Sequence, residues 1–406
     1  MNRRIFTFIA ASLTLIACFT ASSAPIPLMS VYQNQLQLNA SNIADSIVAY
    51  YIGCILSLVL FCRLSNFFGR KPVVLLTLTL GMIACALFVI IDSTWILNFA
   101  RFFQGLACGM ASSAAMAWVV DTAPEKHNWL GPVMTAGGPS LGLCIGTLLT
   151  GVLIEGGSVT PPMLYVGFIG FFALVALMVL FSEETVPFGM EPLLQSLIPK
   201  INLPTRLRRL FVVAAGAYVV TWGVGSFFQG FSATMSDIAF GAQSTFLAAM
   251  VYLLIQVPHA LAGLMIGRFH AARSLRILMG VFVLTGIVLF SSLHYHASVI
   301  FMGAVIMIGA TNGATCTAAL KFLLQDVSLK ERAGTIAAVY LTAYLGSGVP
   351  NFIVGRVAKD MPFETIGIGY IAWMCVGAAG VIAALAWIKR QPSEAEKLRF
   401  KDQSSL

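Results

Sequence analysis

Charge is what this sequence has least of. Only 10% of its 406 residues are Asp, Glu, Lys or Arg, against about a quarter in soluble domains. A water-facing shell cannot be assembled from that inventory. There is no G-x-x-x-x-G-K-[ST] run, so ATP is not the energy source, and no catalytic constellation appears, so an enzyme is not expected. None of the eight cysteines (Cys18, Cys54, Cys62, Cys85, Cys108, Cys144, Cys316 and Cys375) belongs to a C-x-x-C pair. That argues against a disulfide framework and against a zinc site. All eight fall inside apolar runs or at their ends, where they read as small packing residues. No metal or cofactor is implied.

What the chain has in excess is long apolar runs. Hydrophobic residues make up 58% and the mean hydropathy is +0.88. Stretches of about 20 apolar residues recur, each long enough to cross a bilayer as a helix. They fall at 5–29, 43–62, 72–91, 95–119, 131–154, 163–182, 211–231, 244–266, 277–293, 298–320, 334–357 and 366–388. The sequence therefore predicts an all-α membrane protein with twelve transmembrane helices.

Basic residues test that list, because loops kept in the cytoplasm are enriched in Lys and Arg. With both termini cytoplasmic, only Arg356, at the outer end of span 11, and Lys359 of the 24 basic residues fall on the outer side, and Arg101 alone lies deep inside a span. A miscounted helix would scramble that partition. The net charge of +8 follows from topology and requires no nucleic acid. The opening MNRRIFTFIAASLTLIAC has the composition of a signal peptide. We read it as the first span, because cleavage would leave eleven spans and an unpaired half.

The longest polar connection divides the chain into a six-helix half (1–182), a cytoplasmic linker (183–210), a second six-helix half (211–388) and a cytoplasmic tail (389–406). In the linker, Leu193, Leu194, Leu197 and Ile198 fit one face of a short helix on the membrane surface; a plain flexible linker is the other reading. CRLSNFFGRK (62–71) follows the second span of the first half, and GLMIGRFHAA (263–272) follows the second span of the other. Both are tight basic turns. Six spans, a linker and six spans is the parallel-repeat organisation of large secondary transporters.

CRLSNFFGRK resembles the major facilitator superfamily signature G-x-L-a-D-R-x-G-R-K, matching it at Leu64, Gly69, Arg70 and Lys71 and departing at Cys62, Asn66 and Phe67. The resemblance implies the major facilitator fold and a pairing of Arg70 with Asp121 at the end of span 4. It also puts in question the usual inter-half latch, since Asn66 stands where the family has Asp. Residues of the turn also have a plainer role, with Gly69 permitting a bend and Arg70 and Lys71 setting topology.

Arg101 opens RFFQGLACG (101–109), which matches R-x-x-Q-G-x-x-x-G, the span-4 signature of many proton-coupled drug exporters of that superfamily. An Arg at mid-span costs about 2.5–3.5 kcal/mol on insertion scales, less where it snorkels. Gln104 lies one turn on, and Gly105 and Gly109 form a small-xxx-small pair that admits a close neighbour. Arg101 is therefore expected to face inward, into a wet central chamber. Arg does not titrate in the working range, so it either holds an anionic group of the substrate or biases a nearby acid.

Asp45, in NIADSIVAYYIG with Tyr50, is the candidate acid, its titration balanced between burial and Arg101. Equally, an acid in the first turns of a capped helix suits the helix dipole. His259 is the alternative proton carrier, or a packing histidine. In span 5, Gly138, Pro139 and Gly142 resemble the G-P-x-x-G core of the exporter branch's antiporter motif, and Pro139 would bend the helix. Polar and aromatic residues at helical spacing complete the chamber: Tyr218, Trp222 and Gln229 on span 7, Gln256 on span 8, Asn312 and Thr315 on span 10, and Tyr340, Tyr344, Ser347 and Asn351 on span 11. Aromatics with neutral hydrogen-bonding groups describe a cavity for an amphipathic organic molecule and not a metal ion. The reading is a proton-coupled efflux transporter in a bacterial inner membrane, resembling the twelve-span drug–proton antiporter branch. It works by alternating access, and a monomer suffices. The alternative is a proton-symporting uptake permease for a small anionic nutrient, with Arg101 as the carboxylate ligand.

Overall fold

A computed structural model of the chain describes residues 3–61, 63–127, 129–189, 205–266, 269–325, 327, 329–357 and 361–390. Those residues fold into long helices without strands. In chain order these are α1 (Arg3–Ser23), α2 (Ala40–Phe61), α3 (Arg70–Val89), α4 (Thr94–Thr122), α5 (Leu130–Glu155) and α6 (Pro161–Leu180). The second six are α7 (Arg208–Phe240), α8 (Thr245–Ile266), α9 (Ala271–His294), α10 (Ser298–Leu324), α11 (Leu329–Val357) and α12 (Phe363–Arg390). Eleven of them are long and apolar enough to cross a membrane. Helix α11 carries Thr335, Ser347 and Asn351, all three fully buried. These three polar side chains face protein and not lipid.

Several helix ends depart from the sequence expectation by four residues or more, among them the start of α9 at Ala271 instead of 277, and two have a clear cause. The first span was expected to reach residue 29, but α1 stops at Ser23 because Pro25 and Pro27 cannot continue its hydrogen bonding; a short helix, Met29–Leu36, follows. Span 7 was expected to end near residue 231, yet α7 runs for 33 residues. Its last turns bury Ser232 and Ser236 and bring Asp237 within 2.8 Å of Ser30 on the short helix. Hydropathy falls there, but tertiary contact takes over from lipid. The linker residues 190–204, including the expected surface helix, the tail 391–406 and Cys62 lie outside the described residues.

Small residues set how closely the helices approach. Gly53 lies directly on the backbone of Phe102, and Gly105 and Gly109 lie on the backbone of Tyr50 and Cys54, locking α2 to α4. Gly138, Gly142 and Gly146 of α5 lie against Leu15, Ile16 and Thr20 of α1. A Cβ at Gly146 would sit 2.0 Å from the Thr20 carbonyl oxygen. Between the halves, α2 packs on α11 and α5 on α8. Helices α6 and α12 show the most lipid-compatible surface, with Val166, Leu174, Ile368 and Val376 exposed.

We call the end where α1 begins the near end, and the opposite one the far end. The halves meet at the far end. Asp45 pairs with Arg356, Ser30 donates to Asp237, and Asn34 donates to Gln243. Ser41 donates to the Gly355 carbonyl, and Glu155 accepts from Thr245 and from the Phe246 N–H.

Candidate functional site

The site begins with a defect in α1. Pro25 has no N–H to give the Ala21 carbonyl, and the Ile26 N–H turns to Ser23 instead of Ser22. Two carbonyls are thus left without their helical partners inside the bundle, where they require donors. Helix α4 supplies both. Arg101 Nη1 donates to Ser22 O at 2.9 Å, and Gln104 Nε2 donates to Ala21 O at 2.9 Å. Arg101 Nη1 also donates to Gln104 Oε1 at 2.9 Å, and one turn further Cys108 Sγ lies 3.5 Å from Cys18 O. Residues 101, 104 and 108 share one face of a helix, so the spacing of R-x-x-Q-G-x-x-C is the spacing of the α1 carbonyls.

The Arg101 guanidinium is 0% exposed and has its carbon 4.8 Å from the centre of the Tyr50 ring. It does not point at lipid. Nor does it look into open space, as expected from the sequence; it is held among α1, α2 and α4 with Tyr50 lying over it. The freed carbonyls fix it there. Its Nε and Nη2 have no hydrogen-bond partner among the described residues.

Asp45 does not join it. Its carboxylate receives Arg356 Nη1 at 2.9 and 3.2 Å, so the expected influence of Arg101 is replaced by that of a residue assigned to an outer loop. At 3.6 residues per turn, Asp45 lies about 140° around α2 from Tyr50 and faces α11, while Tyr50 faces α4.

From Tyr50 the aromatic residues form a ladder across the halves. Tyr50 meets Tyr51 at 5.3 Å between ring centres, and Tyr51 meets Tyr344 at 5.9 Å. Trp222 lies 5.3 Å from Tyr344 and 5.6 Å from Tyr340, and Tyr218 closes the far side of Tyr340 at 6.0 Å. Tyr340 is 36% exposed despite these neighbours. The Tyr51 hydroxyl donates to Gln229 Oε1 at 3.3 Å. Asn312 is buried and donates to the Thr221 carbonyl, on the flank of α7. Gln256 and His259 are half-buried on α8, where the His259 backbone presses on Gly313 of α10.

The near-end turn folds as one unit. Gly69 has φ +90°, and a Cβ there would meet Glu184. The Glu184 carboxylate instead accepts from the Arg70 and Lys71 N–H groups at 2.8 and 2.9 Å, capping α3 with an anion. Arg70 Nε pairs with Asp121 at 3.0 Å, and its Nη1 reaches Ser65 and Asn66. Lys71 Nζ donates to the Leu180 and Ser182 carbonyls. Asn66 is thus occupied within its own half. In α5, Gly138 and Gly142 are buried against α1, while Pro139 lies half-buried beside them.

The sequence profile of the Major Facilitator Superfamily matches residues 11–350. The chain belongs to that superfamily. Its fold and kind are those of a membrane transporter for small molecules. It is 23% identical over 275 residues to Multidrug resistance protein 2 of Bacillus subtilis (strain 168), covering 66% of this chain and 68% of that one. Among solved structures, a mutant of the nucleoside transporter NupG superposes with a TM-score of 0.73 at 14% identity, over 93% of this chain and 99% of the other. A bacterial homologue of the human lysosomal transporter Spinster, inward-facing and unoccupied, superposes with a TM-score of 0.74 at 13% identity, over 97% and 99%. These two likenesses establish the fold.

The far-end ties of this superfamily member were not legible beforehand. Arg356, Glu155, Ser30 and Asp237 each read as an end or loop residue, because pairing between the halves leaves no periodic mark on either strand of sequence. The one available signal was the pair Pro25 and Pro27, which announces freed carbonyls in span 1 without saying what fills them.

Proposed function

We propose that the chain exports small amphipathic organic molecules from a bacterial cell in exchange for protons, by alternating access. The aromatic ladder carries this reading: five rings link the partly exposed Tyr340 to a buried cation beside Tyr50, crossing from one half to the other. Tyr and Trp offer an apolar face with a polar edge, which suits amphipathic solutes. Both termini lie in the cytoplasm of an inner-membrane monomer, so the near end faces inward and this conformation is shut to the outside. Residues 1–182 and 211–388 are the bodies that rock, with Gly138, Pro139 and Gly142 at the contact of α5 with α1.

Asp45 is the coupling carboxylate in this proposal. Its protonation from outside would free Arg356 and release the far end, and His259 is the next residue to test. Similarity to a protein named for multidrug resistance supports efflux. Susceptibility profiling of a deletion strain beside an overexpressing strain tests the function. Hypersensitivity on deletion and resistance on overexpression are expected, and proteoliposomes with an imposed pH gradient should accumulate the same compounds. Unchanged susceptibility with no pH-driven movement would reject it.

The two unpartnered donors of Arg101 favour a second reading, uptake of a small anionic nutrient. Proton-driven uptake of a labelled organic acid, abolished in Arg101→Ala, would replace export by that activity.

A further inference from the structure

The charges of the twelve helices are distributed unevenly with depth. Every acid on a long helix lies within six residues of an end: Asp45, Asp121, Glu155, Asp237, Glu331 and Glu364. Asp121 is paired with Arg70, Asp45 with Arg356, and Glu155 is held by Thr245. Arg101 is the eighth residue of α4, deeper than any of these. Among the described residues no carboxylate faces it. Its neighbours are two carbonyls, an amide and a phenol ring.

We infer that the ladder selects planar aromatic anions, carboxylates above all, over the lipophilic cations that a Tyr- and Trp-lined chamber would otherwise attract. Three observations combine. The first is the sign of the field. A full positive charge buried away from water is weakly screened, and it lies at the buried end of the ladder, since Tyr50 meets the guanidinium on one side and Tyr51 on the other. A cation on those rings gains from their π faces, but it does so against Arg101 and without an acid to neutralise it.

The second is the shape of the free donors. Nη1 is consumed by Ser22 and Gln104, whereas Nε and Nη2 are unpartnered. Those two form the side edge of the guanidinium fork, the edge that grips a carboxylate with two parallel hydrogen bonds. Anchoring through Nη1 leaves that edge intact and holds it still. The third is the ladder itself, whose rings meet at 5.3 to 6.0 Å and so present edges and faces to a flat solute. Rotation of Tyr50 about its side chain is the movement that would admit the carboxylate.

This inference rests on the transporter reading above, and the test separates the two. Three near-isosteric probes, 2-naphthoate, 2-naphthamide and 2-naphthylmethylammonium, are measured by equilibrium dialysis against the purified full chain. The expected order is anion, then amide, then cation, with at least about tenfold between the extremes. Arg101→Gln should erase that order by weakening naphthoate about tenfold while leaving the amide within about threefold. Tyr344→Ala should weaken all three alike. If Arg101→Gln does not fold, Arg101→Lys decides: it keeps the charge and loses the fork, so anion preference over the cation persists but shrinks. Cation binding as tight as naphthoate, or a preference unchanged in both Arg101 variants, overturns the anion selectivity and leaves the transporter reading standing. Binding of none of the three overturns the ladder as a substrate surface, and the selectivity with it.

Discussion

At the far end, Asp45 reaches Arg356, Ser30 reaches Asp237 and Glu155 reaches Thr245, each tie running from one half to the other. At the near end, Arg70 reaches Asp121 and Glu184 caps α3, and these ties stay within the first half and its adjoining segment. The same chemistry therefore serves two purposes. The proposed rocking of the halves requires ties across the seam weak enough to break, and the far-end set suits it: isolated hydrogen bonds and one ion pair with Arg356 about half exposed, 55%. Such pairs contribute about 0.2–1 kcal/mol each. Ties inside a body can be dense, and the Gly69–Lys71 turn packs several backbone and side-chain bonds into a few residues.

Breaking the interior that both ends enclose should have the largest effect. Arg101→Ala leaves the Ser22 carbonyl and Gln104 without their donor, at about 1–3 kcal/mol for each orphaned buried group. It should abolish substrate-induced proton release while lowering the midpoint of thermal unfolding. Full coupling in a properly inserted Arg101→Ala protein would remove the residue from the pathway. Next comes Gly146→Val, whose Cβ has no room beside Thr20. Overpacking of this kind costs about 1–3 kcal/mol, seen as a lower unfolding midpoint, and an unchanged midpoint would show that α1 and α5 are not closely docked.

The seam itself should respond more gently. Asp45→Asn removes about 0.2–1 kcal/mol and so shifts the population with the far end open by up to about fivefold. Spin labels at cysteines replacing Gln37 and Ala242 would report it as a new long-distance component, and transport should lose its dependence on the pH gradient. An unaltered distance distribution would deny the pair any part in closure, and unaltered pH dependence would move coupling to His259. Smallest is Glu184→Gln, which keeps the acceptor and drops the charge at the start of α3, at about 0.3–1 kcal/mol. Its unfolding midpoint should fall slightly with transport intact. A transport defect there would mean that the near-end turn also moves.

Much of the fold could be read in advance because lipid imposes a local rule. A helix crossing hydrocarbon must be apolar for about 20 residues, so α3 (Arg70–Val89), expected at 72–91, and α8 (Thr245–Ile266), expected at 244–266, stood out. Where protein replaces lipid as the neighbour, that rule lapses. The polar last turns of α7 and Ser347 and Asn351 of α11 are stabilised by other helices, which is why the end of α7 was misjudged by nine residues. The candidate site divides the same way. Arg101 and Gln104 were visible as polar groups at helical spacing, and Arg70 with Asp121 through a family resemblance. Asp45 was visible too, but its partner was not, since two residues 311 apart in sequence carry no mark of their meeting.

Composition and the placement of Lys and Arg determined by themselves that this chain is a bundle of membrane helices, because burial in lipid is settled residue by residue. Which side chain neutralises which was decided only by the assembled bundle. Pro25 frees two carbonyls without naming their donor, and the approach of α4 to α1 gave them Arg101 and Gln104. The preference of a charge depends on what surrounds it in space, and that surrounding comes from helices far apart in the chain.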